Sequence, residues 1–285
     1  MKIVYKKVLS DTKEARIVEL RFESSTIASS VEPGQFILLM ASACGERVPL
    51  TVVDSDPKKG ILTIIFQEIG YSTKLLGSLE TGDLLYSVVG PLGHATPIEN
   101  YGKILIVGGG VGIAEILPIV RAFKEGGNHI TTILGAKTKD HMILQDEIGQ
   151  YSDELILTTD DGGLGEKGFV SGPLAKILEK DSDFGLVYCV GPVPMMKVVS
   201  NVTKPYNIKT IVCLNAIMLD GTGMCGSCRL TEDGKIKFCC VDGPDFDGHL
   251  VDFDELMQRQ KRFLKEEAQA LRKLHECKLK AQIKE

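Results

Sequence analysis

The sequence predicts a β + α/β protein: an N-terminal antiparallel β-barrel, a parallel-sheet nucleotide-binding domain, a small metal-ordered module and a C-terminal helix. Three observations predict it. Short apolar runs crowd the first third, strand-like and helix-like stretches alternate through the middle, and a segment rich in cysteine and glycine follows. At 285 residues the chain is long for one domain, and four zones are expected: 1–98, 99–212, 213–250 and 251–285.

The barrel zone opens on "MKIVYKKVLS", which lacks a long apolar core and reads as a polar-edged strand rather than a signal peptide. "RIVELRFE", "QFILLMA", "GILTIIFQEI" and "LLYSVVG" follow, separated by the turn segments "EPG", "DSDPKKG" and "ETGD". Many strands at close spacing with such turns fit a small antiparallel barrel. Two segments in it carry candidate ligand groups. In "ERVPLTVV", Arg47 is a candidate phosphate partner, and Pro49, Leu50 and Thr51 form a stiff strand end suited to a flat ring. In "EIGYSTKLL", Gly70, Ser72 and Thr73 offer donors at the start of a short helix. Read alone, both also fit ordinary strand ends and turns.

From residue 103 the rhythm changes. "KILIVGG", "HITTILGA", "ELILTT" and "LVYCVG" alternate with "IAEILPIVRAFKEG", "LQDEIGQY", "SGPLAKILEK" and "PMMKVVSNVTK", the pattern of βαβ units and a parallel sheet. "ILIVGGGVGIAE" runs a strand into Gly108, Gly109, Gly110 and Gly112, where backbone can approach a pyrophosphate. Ile113 stands where a full dinucleotide fingerprint has its third glycine, so a plain tight turn is the alternative. Gly191 and Pro192, in "VGPVPMM", form a rigid loop at a strand's carboxyl end, the edge where open α/β sheets bind ligands.

The segment "LDGTGMCGSCRL" with "FCC" after it points to a metal. Cys225 and Cys228 form a C-x₂-C pair with two residues between them, and Cys240 follows. Zinc would take His249 as a fourth ligand, outside the usual spacing. A plant-type [2Fe–2S] cluster takes C-x₄-C-x₂-C and a distant cysteine; here Asp220 occupies the first position. Iron accepts carboxylate oxygen, and Gly221, Gly223 and Gly226 leave the loop free to turn its amides inward.

Charge and composition exclude other classes. A formal net charge of −5 disfavours a sequence-independent grip on nucleic acid. No run of eighteen apolar residues occurs, so no membrane span is expected. Eight cysteines without an export signal suggest the reducing cytoplasm, where clustered thiols ligate metals. Cys44 and Cys277 lie far from the motif and receive no role.

The order "RVPLT", "GYST", "GGGVG", "VGPVPMM", the cysteine motif and "CVDGPDFDG" resembles the ferredoxin–NADP⁺ reductase superfamily. More narrowly it is similar to dihydroorotate dehydrogenase electron-transfer subunits, sulfide dehydrogenase small subunits and the small subunit of NADH-dependent reduced ferredoxin:NADP⁺ oxidoreductase. The resemblance spans roughly residues 1–250. It implies a flavin barrel holding FAD, an NAD(H) domain, and an iron–sulfur module ligated by Asp220, Cys225, Cys228 and Cys240. Cys240 is preferred to Cys239 because the family's last ligand lies two residues before "DGP". It also implies a larger flavin/iron–sulfur partner subunit, contact with ferredoxin through that complex, and electron bifurcation at the partner's flavin. The aspartate at 220 is similar to the ferredoxin:NADP⁺ oxidoreductase subunit; the dihydroorotate dehydrogenase subunit, the runner-up, has cysteine there. A non-catalytic zinc-binding adaptor is the alternative from another class. Counted back from Thr51, the family's flavin-motif arginine falls on Val48, so Arg47 is displaced by one. The absence of an arginine cluster for a 2′-phosphate near the strand ends favours NAD(H).

Beyond Phe253 no Gly or Pro appears, and a helix is expected to residue 285. Met257, Leu264 and Leu271 recur every seven residues, with Ala268 and Leu274 near the same face. The stripe fits either packing on its own domain or a clasp on a partner.

Overall fold

The computed structural model describes residues 1–14, 16–43 and 45–272, so Cys44, Leu274, Cys277 and the end of the expected C-terminal helix lie outside the described residues. The first zone contains β1 (Ile3–Asp11), β2 (Arg16–Glu23), α1 (Ser25–Ala28), β3 (Phe36–Met40), β4 (Val48–Thr51), β5 (Asp54–Asp56), β6 (Ile61–Gln67), α2 (Tyr71–Gly77) and β7 (Ser87–Leu92). Its strands form two antiparallel sheets, in the orders β1-β2-β6-β5 and β4-β3-β7. Side chains alternate across a strand, and β2 and β6 use both faces. Val18, Leu20, Phe22, Leu62, Ile64 and Phe66 fill the barrel core. Ile17 and Ile65 point the other way, packing with Val53 against the next domain.

The second zone runs β8 (Lys103–Gly109), α3 (Gly112–Glu125), β9 (His129–Ala136), α4 (Gln145–Gly149), β10 (Glu154–Thr159), β11 (Glu166–Lys167), α5 (Ser171–Lys180), β12 (Leu186–Val190), α6 (Val193–Thr203) and β13 (Thr210–Cys213). Then come β14 (Arg229–Glu232), β15 (Lys235–Phe238), α7 (Cys239–Asp242), β16 (Asp245–Asp247) and α8 (Phe253–Gln260). A seven-stranded sheet has the order β11-β10-β9-β8-β12-β13-β16, parallel throughout except for β16, which is antiparallel to β13. Both faces are covered, as an apolar parallel sheet requires. On β8, Ile104 and Ile106 meet α3 and the barrel side, while Leu105 and Val107 enter the core shared with α5, α6, α8 and the cysteine segment.

β16 belongs to the cysteine segment yet lies in the nucleotide sheet, and its first residue knots three zones together. The half-buried Asp245 carboxylate accepts from Tyr188 Oη on β12 at 2.9 Å. It also accepts from Thr96 Oγ1, which follows the barrel, at 2.6 Å. Burial raises the Asp245 pKa to about 6, against hydrogen bonds from Thr96, Tyr188 and the Cys213 thiol that oppose the shift. The folded state thus keeps a proton that the unfolded chain releases near 3.8. This stabilisation is present below the unfolded value and is lost as pH rises through about 6. Asp245→Asn, which cannot ionise, is therefore expected to gain on the parent by up to about 3 kcal/mol between about pH 4 and about pH 8. Thermal melts across that range check it. A pH-independent offset would count against the buried acid.

The C-terminal stretch departs from a continuous helix. α8 starts on an Asp252 cap whose Oδ1 accepts from the Glu255 amide at 2.9 Å. It buries Phe253 and Leu256, then breaks in a turn over 261–263 before helix resumes over 264–272. The break has a local cause. The Arg259 carbonyl, which a continuing helix would offer to residue 263, instead accepts from Arg262 Nε at 3.0 Å and from its amide at 3.3 Å. Up to Gln260 the stretch packs on its own chain, the first of the two expected outcomes; Leu264, beyond the break, is exposed.

Candidate functional site

The sheet order reverses between β8 and β12, since β9 and β10 extend one way from β8 and β12 and β13 the other. Such a switch point opens a crevice at the strands' carboxyl ends. The two segments singled out in the sequence line it. Gly108–Gly112 leaves β8, and Gly191–Pro192 leaves β12 into α6, which Pro192 caps. The two turns pack backbone to backbone. A Cβ on Gly112 would lie 2.9 Å from the Val190 carbonyl oxygen and 3.0 Å from the Gly191 amide nitrogen. Gly110, at φ +58°, has nothing within 4 Å of where a Cβ would sit, so the turn presents bare backbone to open space. That cradle fits a dinucleotide phosphate approaching the first turn of α3.

The barrel closes over this crevice. Pro49, Leu50 and Thr51 form the end of β4, paired with Leu38, Ile37 and Phe36 of β3. Thr51 Oγ1 donates to Glu115 Oε2, in the first turn of α3, at 3.0 Å. Glu115 is half-buried; burial raises its pKa, and the Thr51 hydrogen bond opposes the shift. Sequence reasoning missed it, although a lone carboxylate inside "GIAEILP" was a signal: nothing in an apolar helix start calls for one unless a partner waits across the seam.

Three barrel candidates make contacts within the chain. Arg47 Nη1 donates to the Leu219 carbonyl at 3.3 Å and so ties the barrel to the cysteine loop. The Thr73 hydroxyl accepts from the amides of Ile69 and Gly70, each at 3.1 Å, which closes the first turn of α2. Ser72 Oγ reaches Glu46 at 3.4 Å. Gly70 itself faces open space, as the expected diphosphate approach requires.

The cysteine loop spans Leu219–Cys228 and is closed by α7. Its four candidate ligands fall into two pairs. The Asp220 carboxylate accepts from the Thr222 and Cys225 amides, each at 2.7 Å, and those contacts with the Cys225 thiol hold its pKa below the usual value. Cys228 Sγ and Cys240 Sγ are 3.3 Å apart and buried. Among the described residues, no three side chains of His, Cys, Asp or Glu meet at metal-holding distance. Burial, then the neighbouring Cys228, pushes the Cys240 pKa up to about 12. Two buried thiols in contact fit a site whose compensating charge is a cation. The loop also carries a buried hydroxyl, Ser227 Oγ, without a partner among the described residues, next to the Ser227 amide that donates to Cys225 Sγ at 3.4 Å. Donors turned toward cysteine sulfur fit an iron–sulfur group.

The rejected ligands are placed elsewhere. Cys239 Sγ, fully buried, donates to the Leu214 carbonyl at 3.2 Å on the core side of α7. His249 Nε2 is bonded to Thr203 Oγ1 at 2.9 Å, away from the loop, so the zinc alternative lacks its fourth ligand.

Comparison with known proteins agrees with this layout. The iron–sulfur cluster binding domain of dihydroorotate dehydrogenase B matches residues 215–252, and the oxidoreductase NAD-binding domain matches residues 106–201. A Thermotoga maritima dihydroorotate dehydrogenase B (NAD⁺) electron transfer subunit homolog is 44% identical over 259 residues, 90% of this chain and 91% of its own. A probable electron transfer subunit from Methanocaldococcus jannaschii is 35% identical over 255 residues, covering 87% of this chain and 94% of its own. The structure of an NADH-dependent reduced ferredoxin–NADP oxidoreductase superposes with a TM-score of 0.89 at 41% identity, over 96% of this chain and 97% of the other. The chain belongs to the family of dihydroorotate dehydrogenase B-type electron-transfer subunits, built on the ferredoxin–NADP⁺ reductase fold.

Proposed function

We infer that the chain is the FAD- and [2Fe–2S]-containing electron-transfer subunit of an NADH/ferredoxin:NADP⁺ oxidoreductase, exchanging hydride with NAD(H) and working with a larger partner subunit. When bound, FAD supplies the change from two-electron to one-electron transfer, and the cluster supplies the single-electron exit. One observation carries this reading. The Thr51–Glu115 hydrogen bond seats the end of the barrel's ring-facing strand on the helix that follows the glycine turn, so both halves share one crevice.

The division of labour follows the expected zones. Residues 1–98 hold the flavin, with Pro49, Leu50 and Thr51 against its ring and the α2 start near its diphosphate. Residues 99–212 hold NAD(H) on Gly108–Gly112 and Gly191–Pro192. Residues 213–250 hold the cluster through Asp220 and Cys225 on one side and Cys228 and Cys240 on the other. In the fourth zone, α8 and the turn after it brace that loop through Arg259 and Arg262. Exposed Met224, Leu219 and Val241 rim the cysteine loop and support docking of the partner subunit there. Among the described residues no helix is long and apolar enough to cross a membrane, and the six described cysteines are free, which supports a reducing, cytoplasmic setting. Coupling to ferredoxin, and bifurcation at the partner's flavin, come from the likeness to the ferredoxin–NADP oxidoreductase. A dihydroorotate dehydrogenase partner is the second reading, favoured by the names of the relatives. Asp220 separates the two.

The test uses the purified chain supplied with FAD. NADH is expected to drive reduction of an artificial acceptor at least about tenfold faster than NADPH at equal subsaturating concentration, about 1.4 kcal/mol of discrimination. Equal rates would remove the NAD(H) assignment, and failure to retain flavin would remove the enzymatic reading.

A further inference from the structure

The loop between Cys225 and Cys228 is gripped by the end of α8. Arg259 Nη2 donates to the carbonyls of Gly226 at 3.2 Å and Ser227 at 3.3 Å. Arg262 Nη2 donates to the Ser227 carbonyl at 2.7 Å. The guanidinium is a rigid planar fork, so two of them on successive carbonyls fix the orientation of both peptide planes. Arg262 lies in the turn over 261–263 that follows α8.

The surroundings differ from those of a solvated charge run. Arg259 is half-buried, and its Nε is sealed from solvent without a partner among the described residues. Burial lowers the Arg259 pKa, with Arg262 and Arg229 acting the same way and Glu255 and Cys228 opposing. A guanidinium stays protonated through such shifts. Three arginines therefore gather beside a loop whose own carboxylate and thiols would make it anionic once metallated. One-electron reduction adds a further negative charge at this loop. A nearby cation in a partly dry setting favours that state.

We propose that Arg259 and Arg262 are positioning residues for the iron–sulfur centre, fixing the Cys225–Cys228 loop and raising the centre's reduction potential by their charge. This rests on the cluster assignment above. The experiment uses the full chain with its cluster in three forms: the parent, Arg259→Gln with Arg262→Gln, and Arg259→Lys with Arg262→Lys. Iron and flavin per chain are measured first, and then a dithionite titration is followed by electron paramagnetic resonance. All three are expected to keep iron and flavin. The glutamine pair should lose about tenfold in the reduction equilibrium, a midpoint lower by about 59 mV for one electron, and the lysine pair should recover most of it. An unmoved midpoint in the glutamine pair overturns the proposal, as does a lysine pair no better than glutamine. Should the glutamine pair shed iron, Arg262→Gln alone must lower the midpoint; an unchanged value overturns the proposal. A parent chain without iron would instead overturn the cluster assignment, which the parent measurement alone reveals.

Discussion

Cys240→Ser is expected to strip most of the iron from the purified chain, whereas Cys239→Ser should leave iron content near that of the parent. The two cysteines are adjacent, yet α7 turns them to opposite sides. Cys240 Sγ lies 3.3 Å from Cys228 Sγ, while Cys239 Sγ is spent on the Leu214 carbonyl at 3.2 Å. A serine hydroxyl at 239 can keep that hydrogen bond, but at 240 it replaces a soft thiolate with a harder oxygen that ionises far less readily. Asp220 completes the series. Asp220→Cys should keep the iron but shift the electron paramagnetic resonance spectrum and midpoint, because ligand identity sets both. Asp220→Ala should make the cluster labile. Since the carboxylate also holds two loop amides at 2.7 Å, Asp220→Asn separates the roles. Iron lost from Asn as well as Ala marks a ligand; iron kept with an unchanged spectrum in Asn leaves Asp220 only the loop. Iron analysis and spectra of the five variants check the whole series.

Gly112→Val is expected to lower NADH-driven acceptor reduction about a hundredfold or more while iron stays bound. Even a bare Cβ at 112 would meet the Val190 carbonyl at 2.9 Å and Gly191 backbone at 3.0 Å. Neither neighbour is a flexible side-chain end, so the glycine turn and the loop after β12 must part. Displacement of about 1 Å at a positioning element costs about a hundredfold in rate. Both loops lie on the crevice, so the defect should appear in hydride entry and spare a dithionite-driven route to the cluster. Steady-state rates with NADH, beside dithionite reduction of the same sample, check this; equal loss by both routes would point to a folding defect.

Much of this layout was legible because it rests on local pattern. The strand runs from "RIVELRFE" to "LVYCVG" became β2, β3, β6, β7, β8, β9, β10 and β12, since alternation and turn residues act within a few positions. The glycine turn, the Gly–Pro loop and the cysteine spacing were legible for the same reason. What escaped depends on partners distant in the chain. Glu115 answers Thr51 across 64 positions, and Asp245 answers Thr96 across 149. β16 is three residues long and reads as loop until β13 is known to lie beside it. Arg259 and Arg262 look like solvent-facing charge, since no periodicity reveals that carbonyls from 226 and 227 sit opposite.

β16 also decides how other chains can meet the sheet. An unpaired strand offers a row of amides and carbonyls onto which a stranger can zip, the usual route to edge-to-edge aggregation. Here β13 is covered through Ile211↔Asp247, Val212↔Phe246 and Cys213↔Asp245, and the new outermost strand is only three residues long, with an acidic residue at each end. The opposite border is β11, two residues, Glu166 and Lys167, both charged. Both margins are too short and too charged to template an incoming strand, so the chain can carry seven strands without recruiting an eighth. A subunit that assembles at either margin of this sheet would do so through side-chain surfaces, leaving its main-chain ladder closed.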